Sequence, residues 1–298
     1  MKWVDGRALI GDAKANGYAV GAFNVHNEET AQAIMRAAEE TASPVFVQIG
    51  RAVISYLGIK KTYEIIRSCG EEVSGIGCIH LDHSRTLEEV AEALRLGLGS
   101  IMYDGAHLSL EENIANARKV VEVAHFLGVA VEAELGEMPH ARDVANLHWE
   151  DYYTDVDEAA RFVEETNVDY LAIQVGVVHG VSSMSKPQLD LERIEAIAEK
   201  TGIPLVLHGA SGIPDEMVRE AIAAGIAKLN VDTDLRVAFR EGMQAVWSEG
   251  DRHLEDALAE GRARMQAEAA RKMRVFGSAG RAEEKLLTEG ALGQRREV

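Results

Sequence analysis

Short apolar runs rich in β-branched residues recur along the chain, and each is followed by apolar residues at helical spacing. The runs are Tyr18–Asn24, Pro44–Ile49, Gly77–Asp82, Ser100–Asp104, Val129–Glu134, Asp169–Val175, Pro204–His208 and Ala227–Val231. Helical stretches lie at Glu28–Glu40, Leu87–Leu96, Glu111–Phe126, Asp157–Glu165, Leu191–Lys200, Asp215–Ala224 and Thr233–Trp247. Alternating β and α units predict a parallel sheet covered by helices. Eight such runs predict closure into a single (β/α)8 TIM barrel. An open doubly wound sheet usually carries a GxGxxG first turn, which this chain lacks.

Beyond the eighth run, Leu254–Val275 is rich in Ala, Arg and Glu and predicts one or two extra helices. This C-terminal helical extension, about 250–298, either packs on a partner subunit or caps its own barrel, and the first is the favoured expectation. No linker or low-complexity segment divides the chain, so residues 1–298 are expected to form one domain with a polar tail after Phe276.

Composition narrows the class. A chain of 298 residues, 47% hydrophobic and 5% aromatic, suits one large α/β core. The formal net charge of −18 argues against nucleic acid and anionic membranes as partners, but leaves room for a locally positive pocket. Cys69 and Cys78 form no metal-type or disulfide pattern. No signal-like N-terminus and no apolar run of the roughly 18–20 residues that span a bilayer are present, so a cytoplasmic protein is expected.

In barrels of this class the chemistry lies at the carboxyl ends of the strands. There the runs place Asn24, His80–His83, Asp104, Glu132, Glu134, Asn230, Asp232 and Thr233, with His179 and His208 just beyond the sixth and seventh runs. His83, His179 and His208 come from three strand ends, and imidazole suits zinc and related divalent metals. Three protein ligands leave a coordination position open, as catalytic sites do. A lone histidine at a strand end is more often an ordinary polar residue; the three together carry the metal reading. His26 is the least certain of the histidines set aside as non-ligands.

Asp82, beside His83, suits general acid/base work or the orienting of a ligand histidine. Glu132 and Glu134 share one strand face by period two and are expected to point into the barrel, Glu134 as an orienting partner or an alternative metal ligand. The loop His208–Gly212 and the turn Asn230–Thr233 are placed to bind phosphate through backbone N–H groups and a helix N-terminus. The bland reading is a glycine turn with an N-cap at Asp232 or Thr233.

The motifs GAFNV at Gly21, HLDH at His80, DGAHLSLEENI at Asp104, VEAELG at Val131 and YTDVDEA at Tyr153 resemble those of the class II, metal-dependent ketose-bisphosphate aldolases. So do HG at His179, LHGASGIP at Leu207, KLNVDTDLR at Lys228 and FGSAGRA at Phe276. The resemblance implies zinc, or another divalent metal, at His83, His179 and His208, with Asp82 as the acid/base carboxylate. It also implies dihydroxyacetone phosphate held by Gly180, Gly209, Ser211, Asn230, Asp232 and Thr233, with Asn24 beside them. A monovalent cation, Na+ or K+, near the phosphate and a homodimer or homotetramer are further expectations.

Several positions depart from that pattern. Gly50 followed by Arg51 replaces a hydroxyl residue after the second run, and Ala106 makes the DGS motif DGA. The loop at Glu137–Asp143 lacks the GGxED form that carries a proton-shuttling Glu; Glu137 and Asp143 are the candidate replacements. Ser183 stands where a Lys is usual, with Lys186 nearby, and His253–Asp256 is acidic where basic residues meet a distal phosphate. Together these predict an aldolase giving dihydroxyacetone phosphate and an aldehyde whose tail need not be phosphate, with Arg51 either contacting the substrate's anionic group or simply solvated. The rivals are a Schiff-base aldolase using Lys228, a metal-dependent lyase or epimerase acting on a related sugar acid, and a non-catalytic sugar-phosphate binder.

Overall fold

The computed structural model describes residues 1–136, 152–177, 189–283 and 286. The eight predicted runs form the strands β2 (Val20–Asn24), β3 (Val45–Ile49), β4 (Ile76–Ser84), β5 (Ser100–Tyr103), β6 (Ala130–Leu135), β7 (Tyr170–Ile173), β8 (Leu205–Leu207) and β9 (Ile226–Val231). All neighbours pair in parallel, and β4 pairs with β5 to close the ring, while the short β1 (Lys2–Trp3) adds to β4 outside it. The fold is the expected closed (β/α)8 barrel.

Strand parity divides the core in two. Odd-numbered strand residues, among them Phe23, Val47, Leu81, Ile101, Val131, Leu171, Leu207 and Leu229, join the core between sheet and helices. Even-numbered ones, among them Val20, Ala22, Phe46, Cys78, Ala130, Tyr170, Ala172 and Val206, fill the barrel interior. The helix α1 (Gly6–Asn16) closes the amino end of the barrel, its Leu9, Ile10 and Ala13 packing into that inner cluster. This apolar plug leaves the carboxyl end of the interior to polar side chains.

The elements β1, α1, α3 (Arg51–Tyr56) and α4 (Ile59–Glu71) have no counterpart in the pattern above. Around the barrel also run α2 (Glu28–Thr41), α5 (Leu87–Leu96), α6 (Leu110–Phe126), α7 (Val156–Thr166), α8 (Leu191–Thr201), α9 (Asp215–Ala224) and α10 (Thr233–Ser248). The C-terminal stretch is one helix, α11 (Leu254–Val275). Its Met265, Ala269, Ala270 and Met273 are buried in the barrel's own core, and Arg262, Gln266 and Arg274 bond to Gln32 and Glu40 of α2. The face that α11 buries is therefore turned to its own chain, as the barrel-capping expectation has it. Among the described residues no helix is long and apolar enough to cross a membrane.

Candidate active site

Regular alternation would send Asp82 and His83 to opposite faces of β4. The strand avoids this with a bulge: three residues of β4 advance against two of β5 between the pairs Leu81–Ile101 and Ser84–Tyr103. His83 takes up the extra residue at φ 53°, in the left-handed region that costs a non-glycine residue about 1–3 kcal/mol. Both side chains thereby reach the barrel mouth. Strain of this sort is retained where the surroundings over-determine it, and here ring contacts do so.

His83 Nδ1 lies 3.0 Å from Asp104 Oδ2 and 3.5 Å from Glu134 Oε2, and its Nε2 lies 3.1 Å from His208 Nδ1. The other nitrogen of His208, Nε2, is 2.8 Å from Glu132 Oε1. Burial works against a charged His83, but Asp82, Asp104 and Glu134 around it prevail and raise its pKa to about 10. Burial pushes the Glu134 carboxyl up to about 8, opposed by His83. Asp104 is also desolvated, yet its bond to His83 holds it below the usual carboxylate range.

These residues fit a divalent metal. Two nitrogens bound to one tetrahedral zinc at about 2.0–2.1 Å stand about 3.4 Å apart, close to the spacing of the two facing ring nitrogens. Glu134 Oε2 is buried and lacks a hydrogen-bond partner, as a donor awaiting a cation would be. Ligand atoms of Asp82, His83 and His208 cluster within 4.8 Å, as do those of His83, Asp104 and Glu134. Asp104 is the member that the sequence reading located at the rim without giving it a role; its place next to a histidine-bearing strand was the available signal. The expected ligand His179 and the expected phosphate contact Gly180 lie outside the described residues, as do Glu137, Asp143, Ser183 and Lys186.

Asp82 is held by three amides. Its Oδ2 accepts from Asn24 Nδ2 at 3.0 Å, and its Oδ1 from Gln48 Nε2 at 3.3 Å and Asn230 Nδ2 at 3.2 Å. Gly50 borders this group: a Cβ there would collide with Asn24 Nδ2 and sit 3.1 Å from Asp82 Oδ2. Gln48 is a site residue the sequence reading passed over, although its parity on β3 matches that of Asn24 and Asp82. Arg51 opens α3 and is ion-paired to Glu89 of α5 at the rim.

The loop after β8 turns over the start of α10. Gly209 and Gly212 adopt φ 63° and 76°, which only glycine takes without cost. Ala210 N donates to Asn230 O, Gly212 N donates to Asp234 Oδ2, and Asp234 N donates to Ser211 Oγ. Asp232 is the N-cap residue of α10, one of the two expected positions, although its side chain makes no capping bond. Instead Asp232 Oδ1 lies 2.8 Å from His26 Nε2 and Oδ2 accepts from Arg236 Nε at 2.8 Å, and this outweighs burial to lower its pKa. His26 thus pairs with Asp232. Thr233 Oγ1 accepts from Arg236. His253 precedes α11 as its N-cap residue, and Leu254, Glu255 and Asp256 form the exposed first turn of that helix.

The model of the family fructose-bisphosphate aldolase class-II matches residues 4–281. The chain belongs to this class II aldolase family. It is accordingly a carbon–carbon lyase of the aldolase type, in a family whose substrates are small sugar phosphates and whose members generally depend on a divalent metal. A sulfofructosephosphate aldolase from Alkalicoccus urumqiensis is 39% identical over 285 residues, covering 95% of this chain and 99% of the relative. The crystal structure of the YdjI aldolase from Escherichia coli K12 superposes with a TM-score of 0.83 at 35% identity, covering 95% of this chain and 100% of that one. The fructose-bisphosphate aldolase of Campylobacter jejuni, at 23% identity and TM-score 0.78 over 93% of this chain and 96% of its own, shares the fold.

Proposed function

We propose that this aldolase is metal-dependent and reversibly cleaves a ketose phosphate to dihydroxyacetone phosphate and an aldehyde. The observation that carries the reading is Asp82, fixed by three amide N–H donors beside the facing nitrogens of His83 and His208. In cleavage Asp82 takes the proton of the C4 hydroxyl, and in condensation it returns it. His83 and His208, with His179, would hold the cation, and Glu134 is the further donor. A bound zinc or similar ion supplies Lewis acidity toward the ketone. The glycine loop at Gly209–Gly212, the start of α10 and Gly180 would bind the phosphate, with Na+ or K+ beside it; Asn24 and Asn230 serve through Asp82.

The aldehyde tail is proposed to be an anion other than phosphate. His253–Asp256 lacks the basic residues that usually meet a distal phosphate, which counts against that group, and the choice of another anion follows the 39% relative's name, sulfofructosephosphate aldolase. A Schiff base at Lys228 is disfavoured because its ammonium is buried and bonded to Glu132 and Asn230. Homo-oligomerisation is likewise proposed, through the outer face of α10 where Trp247 is exposed near Tyr56; light scattering that finds a monomer would remove it.

The test is a panel of ketose monophosphates, bisphosphates and sulfonated phosphates assayed for dihydroxyacetone phosphate, with chelator and with zinc restored. Release that stops on chelation and returns with zinc is expected, fastest with a sulfonated ketose phosphate. Release that survives full metal removal, and is abolished by borohydride with substrate, overturns the metal reading.

A further inference from the structure

Below the rim a line of hydrogen bonds joins a proposed metal ligand to the proposed acid/base group. His208 Nε2 lies 2.8 Å from Glu132 Oε1, and Glu132 Oε2 accepts from Lys228 Nζ at 2.7 Å. Lys228 Nζ also donates to Asn230 Oδ1 at 2.8 Å, and Asn230 Nδ2 donates to Asp82 Oδ1 at 3.2 Å. Glu132 and Lys228 are fully buried in the barrel interior.

Stability alone gives a weak reason for this pair. Replacing a buried ion pair by apolar residues of similar volume is often neutral or favourable. Neighbouring interior positions show that the layer accepts apolar side chains: Phe46, Ala172 and Val206 occupy them. What the pair does that apolar residues cannot is remove choices. With a carboxylate at Nε2, His208 keeps its proton there and turns the Nδ1 lone pair to the mouth. An ammonium has donors only, so Asn230 must present its oxygen to Lys228 and its NH2 to Asp82. One ion pair therefore sets a tautomer on one side and an amide orientation on the other.

We propose that Lys228 and Glu132 are a positioning pair that ties metal affinity at His208 to the orientation of Asp82. The inference rests on the proposed roles of those two residues. Its test uses Glu132→Gln, Lys228→Met and the double variant, which removes both charges at nearly constant volume. Zinc affinity is measured on metal-free protein by competition with a chromophoric chelator, together with thermal midpoints, kcat and KM.

The single Lys228→Met variant leaves Glu132 unpaired and is expected to unfold at lower temperature. In the double variant the metal-free midpoint returns close to that of the parent, yet zinc binds about 10–100-fold more weakly. Its kcat falls by about tenfold or more with KM nearly unchanged, the mark of an effect on the reacting geometry rather than on substrate binding. Zinc affinity and kcat equal to the parent's in the double variant would show the pair to be filler and overturn the proposal. Should the double variant not fold, Glu132→Asp keeps both charges but withdraws the carboxylate from His208; it is expected to weaken zinc binding, and unchanged affinity overturns the proposal. The affinities need no substrate, so they decide the matter even if the parent protein releases no dihydroxyacetone phosphate, in which case the reaction class alone fails.

Discussion

His83 Nε2 faces His208 Nδ1 at 3.1 Å across the barrel mouth, with the buried Glu134 Oε2, which makes no hydrogen bond, beside them. A cation binding there binds the folded chain and not the unfolded one. Zinc at about a hundredfold excess over its Kd should therefore stabilise the protein by about 2.7 kcal/mol. Scanning fluorimetry is expected to show a rise in Tm with zinc that chelator reverses and that His208→Asn abolishes. An equal rise in His208→Asn would place the cation elsewhere.

Asp82 is separable from metal binding. Asp82→Ala removes the proton carrier while leaving His83, His208 and Glu134 in place. Turnover should fall by about 10²–10⁴-fold, with the zinc-dependent rise in Tm retained. Turnover equal to the parent's would sink the acid/base assignment.

Gly50 tests how finely Asp82 is aimed. A methyl group there would displace Asn24 from Asp82 Oδ2, removing one of its amide donors. A hydrogen bond to a charged group is worth about 1.5–3 kcal/mol, so Gly50→Ala is expected to lower kcat by roughly 10–100-fold. The backbone at Gly50, φ −98° and ψ 174°, suits any residue, so the fold should hold and Tm should move little. If Gly50→Ala turned over normally, the Asn24 contact would not matter to catalysis.

Much of this site was legible from period-two alternation. Glu132, Glu134, Lys228 and Asn230 face inward as parity requires, and Lys228 pairs in the interior as expected. His208 falls just past β8, at the rim. Alternation could not show His83, because the bulge that brings it beside Asp82 breaks the period and carries no composition signal at that residue. Nor could it show Asn24 and Asn230 converging on Asp82, since three strands distant in sequence meet there only when the barrel closes. The amino-terminal plug was hidden for another reason: α1 offers few apolar positions and β1 is two residues long, too short for any period.

Lys272 is buried in α11, with its Nζ 2.5 Å from Asp234 Oδ2. That same oxygen accepts the Gly212 N–H, so the ammonium steadies the glycine loop from behind. Lys272→Met strands a partly buried carboxylate and should cost about 3 kcal/mol. With the loop loosened, KM for a ketose phosphate should rise more than kcat falls. A variant with lowered Tm but unaltered KM would leave Lys272 a purely structural residue.

Alkali should unfold the protein through its buried phenols. Burial raises the pKa of Tyr170 well above its ordinary value, and raises that of Tyr18, where the bond to Asp12 adds to it. A folded pKa above the unfolded one means that the neutral phenol is favoured in the folded state. The stabilisation is complete below about pH 10, where free tyrosine ionises, and is lost as pH rises through the folded value. Tyr18 and Tyr170 should ionise only as helical circular dichroism collapses. Tyr170→Phe removes one of these groups and its bond to Ser100, costing about 1 kcal/mol at neutral pH. It should nonetheless narrow the gap to the parent as pH climbs above 10 in alkaline melts, because the phenylalanine has no proton to lose. Ionisation of Tyr18 and Tyr170 with circular dichroism intact would show that the barrel interior admits hydroxide.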